Sequence, residues 1–348
     1  MEEVFFVADI LSVQRLRAVA QDEIQKWSKG IVHPASGSSQ SSEISSISIE
    51  EARQKIESLL PGGNVWFTSG PDEAANWAIK GIAAAQRRRG NKIIASPDSH
   101  LSILNAIRSI QGDGEVVAST ASAINIETGV LLDAQTWARN VSETYPHARR
   151  IIDARGAIGR IEIEPLTLSS DAIILDSETC GGPAGVGALW IRTGVRIEPL
   201  IHGSGQEKGR RSGTVPIGLV CAFAAASIEA DLKRVINTEL WNQHHSRLEE
   251  KIHSINGVIH GESEARAPGI TCASIPGEFA EIRLQYLEER GIIVSPASGC
   301  SSTAGKPSHV LTAMGVDADS AMRSLRFSLP EDTNSRDLNR LIEALQKQ

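Results

Sequence analysis

The sequence predicts an α/β protein, with a large domain around a mostly parallel sheet and a smaller α+β domain after it. Two observations lead there. Through the first two-thirds of the chain, short apolar runs bounded by turn residues alternate with stretches of helical apolar spacing. That is the rhythm of β-then-α units that close onto a parallel sheet. From about Thr238 the texture changes to charged amphipathic helices separated by short strands. The change divides the chain into a domain over 1–237 and one over 238–348, and 348 residues suffice for two cores.

The elements follow in order. The serine-rich segment His33–Ser48, "HPASGSSQSSEISSIS", is low in complexity and is expected to be a mobile loop. "IEEARQKIESLL" has apolar residues at helical spacing, with Ser48 near its cap. "NVWFTSG" is a short strand ending in a turn, and "EAANWAIKGIAAAQRRR" is a helix with an alanine-rich buried face. "NKIIASP" is the next strand and "LSILNAIRSI" the next helix. "RRIIDARG" and "SDAIILDSE" are too short for helices and read as buried strands. The second domain opens with the helix "LWNQHHSRLEEKIHSI", followed by short strands around "GITCASIP" and the helix "EFAEIRLQYLEERG". It closes with the strand "LRFSL" and the helix "SRDLNRLIEALQ". No internal repeat is visible.

Composition removes several functions. Only 4% of residues are aromatic, so the core must be built from Ala, Ile, Leu and Val. A net charge of -7 argues against a nucleic-acid surface, and the basic run "QRRRGNK" reads as a solvated helix end. Four unevenly spaced cysteines in so long a chain do not make a disulfide framework. The first residues, "MEEVFFVADILS", are acidic and lack a secretory pattern. No apolar run approaches the roughly 20 residues needed to span a bilayer. The expected location is the cytoplasm, with neither membrane nor nucleic acid as partner.

Six segments in order carry a resemblance: "FTSGPDEAANWAIKG", "IIASPDSHLSIL", "IIDARGAIGRI", "GGPAGVGALWIRTGVRIEPLIHGSGQEKGRRSGT", "VSPASGCSSTAGKPSHVL" and "SLRFSL". Together they cover most of the chain after about residue 50. The chain resembles the cysteine desulfurases of the class V aminotransferase fold, pyridoxal-phosphate (PLP) enzymes that take sulfur from cysteine. The resemblance implies a fold type I PLP-transferase large domain, a small C-terminal domain and a dimer whose sites are completed by a loop from the partner. It places Asp153 at the pyridine-pairing carboxylate, His100 at the ring-stacking histidine, Cys300 at the catalytic thiol and Arg326 at the substrate-carboxylate arginine. It also places Arg211, Ser212, Gly213 and Thr214 on the loop that reaches the neighbouring subunit's cofactor phosphate.

The same resemblance exposes losses. Thr179 stands at the Schiff-base lysine, and a hydroxyl forms no aldimine. Asp72, Asp176 and Glu178 replace phosphate-binding Thr, Ser and His, Gly156 replaces a glutamine beside the ring, and "FFVADILS" departs from the N-terminal substrate segment. At about 4 Å and an effective dielectric near 20, each like-charge pair costs on the order of 4 kcal/mol. That is large beside the roughly 8 kcal/mol of a micromolar affinity. The expectation is a desulfurase-like protein without bound PLP, non-catalytic or regulatory. It would pair with itself or with an active desulfurase paralogue, lending Thr214 in trans, in a sulfur-mobilising process such as iron–sulfur cluster assembly. One alternative is a working desulfurase with noncovalent PLP that forms a persulfide on Cys300. Another is different chemistry in an acidic pocket of Asp72, Asp176 and Glu178 able to hold a cation. Adjacent His244 and His245 cannot share a helix face, so no metal site is assigned to them. Cys180, Cys221 and Cys272 read as buried bystanders, with Cys180 notable only because it follows Thr179. Asp153 also has a plainer reading as a turn cap, and Arg326 as half of an ion pair.

Overall fold

The computed structural model describes residues 6–12, 15–29, 34–35, 37–110, 112–297 and 305–345. In chain order its elements begin with β1 (Phe6–Val7), α1 (Ala18–Ser28), α2 (Gln40–Leu59), β2 (Gly63–Thr68), α3 (Pro71–Gln86), β3 (Lys92–Ala95) and α4 (Leu101–Arg108). Next come β4 (Val116–Ser122), α5 (Ala134–Thr144), β5 (Arg149–Asp153), α6 (Glu164–Ser169), β6 (Ala172–Asp176) and β7 (Gly187–Arg192). The long α7 (Ile217–Ser254) leads to β8 (Val258–Ile259), β9 (Ile270–Ser274), α8 (Ala280–Glu288), β10 (Ile292–Ile293) and β11 (Ser295–Pro296). The chain ends through α9 (His309–Ala313), α10 (Ala318–Met322), β12 (Ser324–Ser328) and α11 (Ser335–Ala344).

These elements fall into two compact units. The larger is drawn from residues 14–123 and 132–232, the smaller from 1–13, 124–131 and 233–348. The sequence reading cut the chain once, after residue 237. Backbone pairing instead brings two early segments into the smaller unit. β1 pairs with β10. Gly129 accepts from the Ala267 amide at 2.7 Å, and the Leu131 amide donates to Ala265 at 2.9 Å.

The larger unit is a six-stranded sheet in the order β2-β7-β6-β5-β4-β3. Only β7 runs against its neighbours, and β6, β5, β4 and β3 are mutually parallel. Helix α3 lies on this sheet because its alanine-rich face buries Ala74, Ala75, Ala78, Ile79 and Ile82 against Val117, Ile151, Ile174 and Leu189. Small residues let the helix approach closely, while the isoleucines supply roughly 1.5–3 kcal/mol each of burial. The buried Trp77 and Trp190 each satisfy their indole N–H on a backbone carbonyl, at Glu198 and Leu60. The C-terminal ends of the interior strands β5 and β6 carry Asp153 and Asp176, where the site is built.

The smaller unit is an antiparallel sheet, β11-β12-β9-β8. Its core gathers Trp241, Leu248 and Ile252 from α7, Phe327 from β12, and Leu338 and Leu341 from α11. The helix read from "LWNQHHSRLEEKIHSI" is therefore the end of a single 38-residue helix. Among the described residues, no helix is long and apolar enough to cross a membrane.

One expectation is overturned. Residues 40–48 of the serine-rich segment form the first half of α2. Ser39 caps the helix by accepting from the Ser42 amide, and Ser42 and Ser45 are buried in line with Ile49, Ala52 and Ile56. Small serines fill a helix face here that composition alone assigns to solvent.

Candidate functional site

In the larger unit the site grows from the turn after β5. Asp153 ends that strand and is buried. Two residues on, Arg155 folds back over it, donating from Nε to both carboxylate oxygens at 3.1 Å. The Arg155 amide also donates to Asp153 Oδ1 at 3.2 Å. From the far end of the guanidinium, Nη1 donates to Asp72 Oδ1 at 3.0 Å and to His100 Nδ1 at 2.8 Å, and Nη2 donates to Ser102 Oγ at 2.6 Å. Because arginine only donates, His100 Nδ1 must be the acceptor. It also accepts from the Ser102 amide at 3.2 Å, which makes His100 the N-cap of α4. Arg155 is only 7% exposed in its side chain. Burial opposes its charge, but Asp153 and then Asp72 and Asp176 raise its pKa above the ordinary arginine value.

The neighbouring carboxylate is held by backbone. Asp176 Oδ1 accepts from the Gly156 amide at 3.1 Å and Oδ2 from the Thr179 amide at 3.0 Å. Thr179 Oγ1 accepts from the same Gly156 amide at 3.1 Å. Arg160 ties both peptides together by donating to the carbonyls of Gly156 and Thr179. Glu178 has a raised pKa, from burial and then from Asp176. Behind it the buried Cys180 donates to the Ser177 carbonyl, and burial, reinforced by Asp176, pushes its thiol up to about 12. Burial likewise raises Cys221 to about 11 and Cys272 well above the ordinary thiol. None of these three is a thiolate near neutral pH. Cys300 lies outside the described residues.

The expected acidic pocket is not a cluster of free carboxylates, although Asp72 is 70% exposed in its side chain. Asp72 and Asp153 share Arg155 as counter-ion, and Asp176 is served by amides. Among the described residues no cluster of three or more His, Cys, Asp or Glu is arranged to hold a metal. The cation that the carboxylates attract is part of the chain.

The loop before α7 is held just as firmly. Arg211 makes a bidentate pair with Glu73 at 2.8 and 2.9 Å, and Glu73 also accepts from the Ser69 amide at 2.7 Å. Lys208 pairs with Glu50, and Arg210 donates to the Ile197 carbonyl. The buried Glu207 binds Arg53 at 2.7 and 2.9 Å and accepts from the Phe67 amide at 2.8 Å. The cations of this run are thus engaged within the chain, while Gly213 and Thr214 at the tip are exposed.

The smaller unit contains Arg326 on β12. Its Nη2 donates to Asp9 Oδ1 at 2.9 Å, to Ser295 Oγ at 3.3 Å and to Ser12 Oγ, and Nη1 donates to the Ile126 carbonyl at 3.3 Å. Both charged partners are buried, at 5% and 4% side-chain exposure. Removing one member of such a pair costs about 3–5 kcal/mol. The ion-pair reading of Arg326 is the one the geometry supplies. Nearby, Glu127 is buried with Oε1 unpartnered, and burial pushes its carboxyl up to about 7 against the opposing pull of Ser308 and Arg326.

Arg155, Asp9 and Glu127 were not anticipated from sequence as parts of these sites. The signal for Arg155 was available in part: "IIDARG" places a cation two residues after a strand-end aspartate. Asp9 carried no such signal, because its pairing spans 317 positions.

A PLP ring requires an amine for its aldehyde, a carboxylate free for its nitrogen, and donors around its phosphate. This site offers Thr179 for the first, an Asp153 already bound by Arg155 for the second, and Asp72 and Glu178 at the third. The residues present do not fit the group.

The fold is that of the class V aminotransferases. The family model described as Aminotransferase class-V matches residues 110–341. A cysteine desulfurase IscS of Methanosarcina thermophila is 33% identical over 334 residues, covering 85% of this chain and 80% of that one. A cysteine desulfurase of Pongo abelii is 30% identical over 339 residues, covering 86% and 71%. A NifS-like protein from Rickettsia africae superposes with a TM-score of 0.88 over 99% of both chains at 25% identity. The chain belongs to the cysteine desulfurase family.

Proposed function

We propose that this chain is a non-catalytic member of the family, a desulfurase-like subunit that acts through a partner in sulfur mobilisation. The observation that carries the reading is Thr179. The resemblance aligns it with the family's Schiff-base lysine, and its hydroxyl is already an acceptor for the Gly156 amide. No amine stands there to capture a carbonyl. The internally paired Asp153 and Arg326 support the same conclusion, since each of these charges already has a partner of its own. The partner we favour is an active desulfurase paralogue, to which the exposed Thr214 tip would be offered in trans.

Titration of the purified protein with PLP tests this directly. The expected result is a colourless protein, with no cofactor retained after dialysis and no sulfide released from cysteine. Tight binding with an absorbance band, followed by cysteine-dependent sulfide release, would establish the working-enzyme alternative with noncovalent PLP.

A further inference from the structure

We propose that Arg155 is a built-in occupant of the ancestral cofactor site, a planar cation that takes over the ionic role of a protonated cofactor ring on Asp153. The inference rests on the non-catalytic reading and adds a cause for it. A carboxylate as buried as Asp153 needs a cation or a full set of donors. In this chain both come from one residue, two positions away, through the Nε–H shared between both carboxylate oxygens and the Arg155 backbone amide. Every nitrogen of the guanidinium is engaged: Nε on Asp153, Nη1 on Asp72 and His100, Nη2 on Ser102. Planar and always charged, a guanidinium can serve acceptors spread around its rim, as Asp153, Asp72, His100 and Ser102 are here.

Asp72 has its own explanation on this view. At a phosphate cradle an aspartate repels its ligand. Beside Arg155 it is a second counter-ion, 3.0 Å from Nη1. His100 also changes role, from a group facing a ring to a hydrogen-bond acceptor for Arg155. The altered Asp72 and the retained Asp153 and His100 form a single network closed on Arg155.

If Arg155 is an occupant, removing it should leave a binding site of the same chemistry. Arg155→Ala would expose two carboxylates, the His100 Nδ1 lone pair and the Ser102 hydroxyl in the arrangement that now holds a guanidinium. The thermal midpoint of full-length Arg155→Ala is measured with ethylguanidinium, ethylammonium or sodium chloride. Each is added at about 10 mM, far below denaturing concentrations. The expected result is a lowered midpoint that rises saturably with ethylguanidinium only, while the wild type responds to none of the three. An Arg155→Ala protein as stable as the wild type, or one that all three salts raise equally, would overturn the proposal.

Phenylglyoxal labelling of the wild type, read by peptide mass spectrometry, stands independently of how the variant folds. Arg155 should stay unmodified while Arg196, 80% exposed in its side chain, reacts. Rapid modification of Arg155 in the folded protein would refute its place in the network. PLP binding by the wild type would overturn the occupant, and cysteine-dependent sulfide release with it would refute the non-catalytic reading as well. Failed rescue without PLP binding would remove only the occupant.

Discussion

Glu127 and His245, both in the smaller unit, have oppositely perturbed acidities, and their signs decide how that unit responds to pH. Burial raises Glu127 from 4.5 to about 7, so the folded state keeps a proton that the unfolded chain releases. Its contribution is fully present below pH 4.5 and is lost as pH rises through 7. Burial lowers His245 from 6.5 to about 4, which holds it neutral where the unfolded chain would charge it. Its contribution is present above pH 6.5 and is lost as pH falls through 4. Each amounts to roughly 3 kcal/mol at full development. They slope in opposite directions over the shared window and largely cancel there. Relative to the wild type, Glu127→Gln should become more stable as pH rises from 4.5 to 7. His245→Asn, which can keep a partner for Thr271, should instead lose stability relative to the wild type from pH 4 to 6.5. Urea midpoints measured across that range check both, and differences that stay flat with pH would contradict the assignment. Neither acidity was legible in sequence. A glutamate in "INIETG" and a histidine in "NQHHS" acquire shifted values only through burial by distant segments.

At the scale of elements, α2 shows how far local signals reach. Its second half was readable from apolar spacing, whereas its first half was hidden by serine content. Once Ser39 accepts from the Ser42 amide at 3.1 Å, the serines that follow are held in helix by packing. Ser39→Ala should cost about 1 kcal/mol and speed hydrogen exchange in the first turn of α2. Ser39→Asp, which keeps an acceptor and places a negative charge at the helix N-terminus, should restore both. Unchanged exchange in Ser39→Ala would show that packing alone fixes the start of the helix. Strand β7 carries a related constraint. A Cβ on Gly187 would stand 2.7 Å from the Gly70 carbonyl carbon and 2.9 Å from the Leu175 oxygen, so only glycine lets β7 pass there. That close approach brings the β6 end and the turn before α3 into one site, and its sequence signal was the glycine-rich run after Cys180.

For the whole molecule, the proposed non-catalytic role turns on what the chain presents to a partner. The pairs Arg53–Glu207 and Arg211–Glu73 hold the loop before α7 against the body of the larger unit, so its exposed tip is presented with little freedom to lose on binding. The prediction is that a tagged copy purified from its native host carries an active cysteine desulfurase in equal amount. Thr214→Ala should then weaken PLP retention by that partner without affecting the stability of this chain. A tagged copy that brings down no desulfurase would remove the heterodimer and leave self-association.

The order of apolar runs determined the parallel sheet and the helices on it, because periodicity is local and survives in a single sequence, while six ordered motifs carried the family resemblance. The same motifs singled out Asp153, His100, Thr179 and Arg326 as the positions to look at. Tertiary structure decided what those residues now do. Asp153 turned to Arg155, Arg326 to Asp9, and Asp176 to the amides of Gly156 and Thr179. A charge takes as counter-ion whatever folding places within about 3 Å, and pairing over hundreds of positions leaves no mark on local pattern. Folding likewise brought residues 124–131 into the smaller unit, since backbone hydrogen bonds are matched in space and not along the chain.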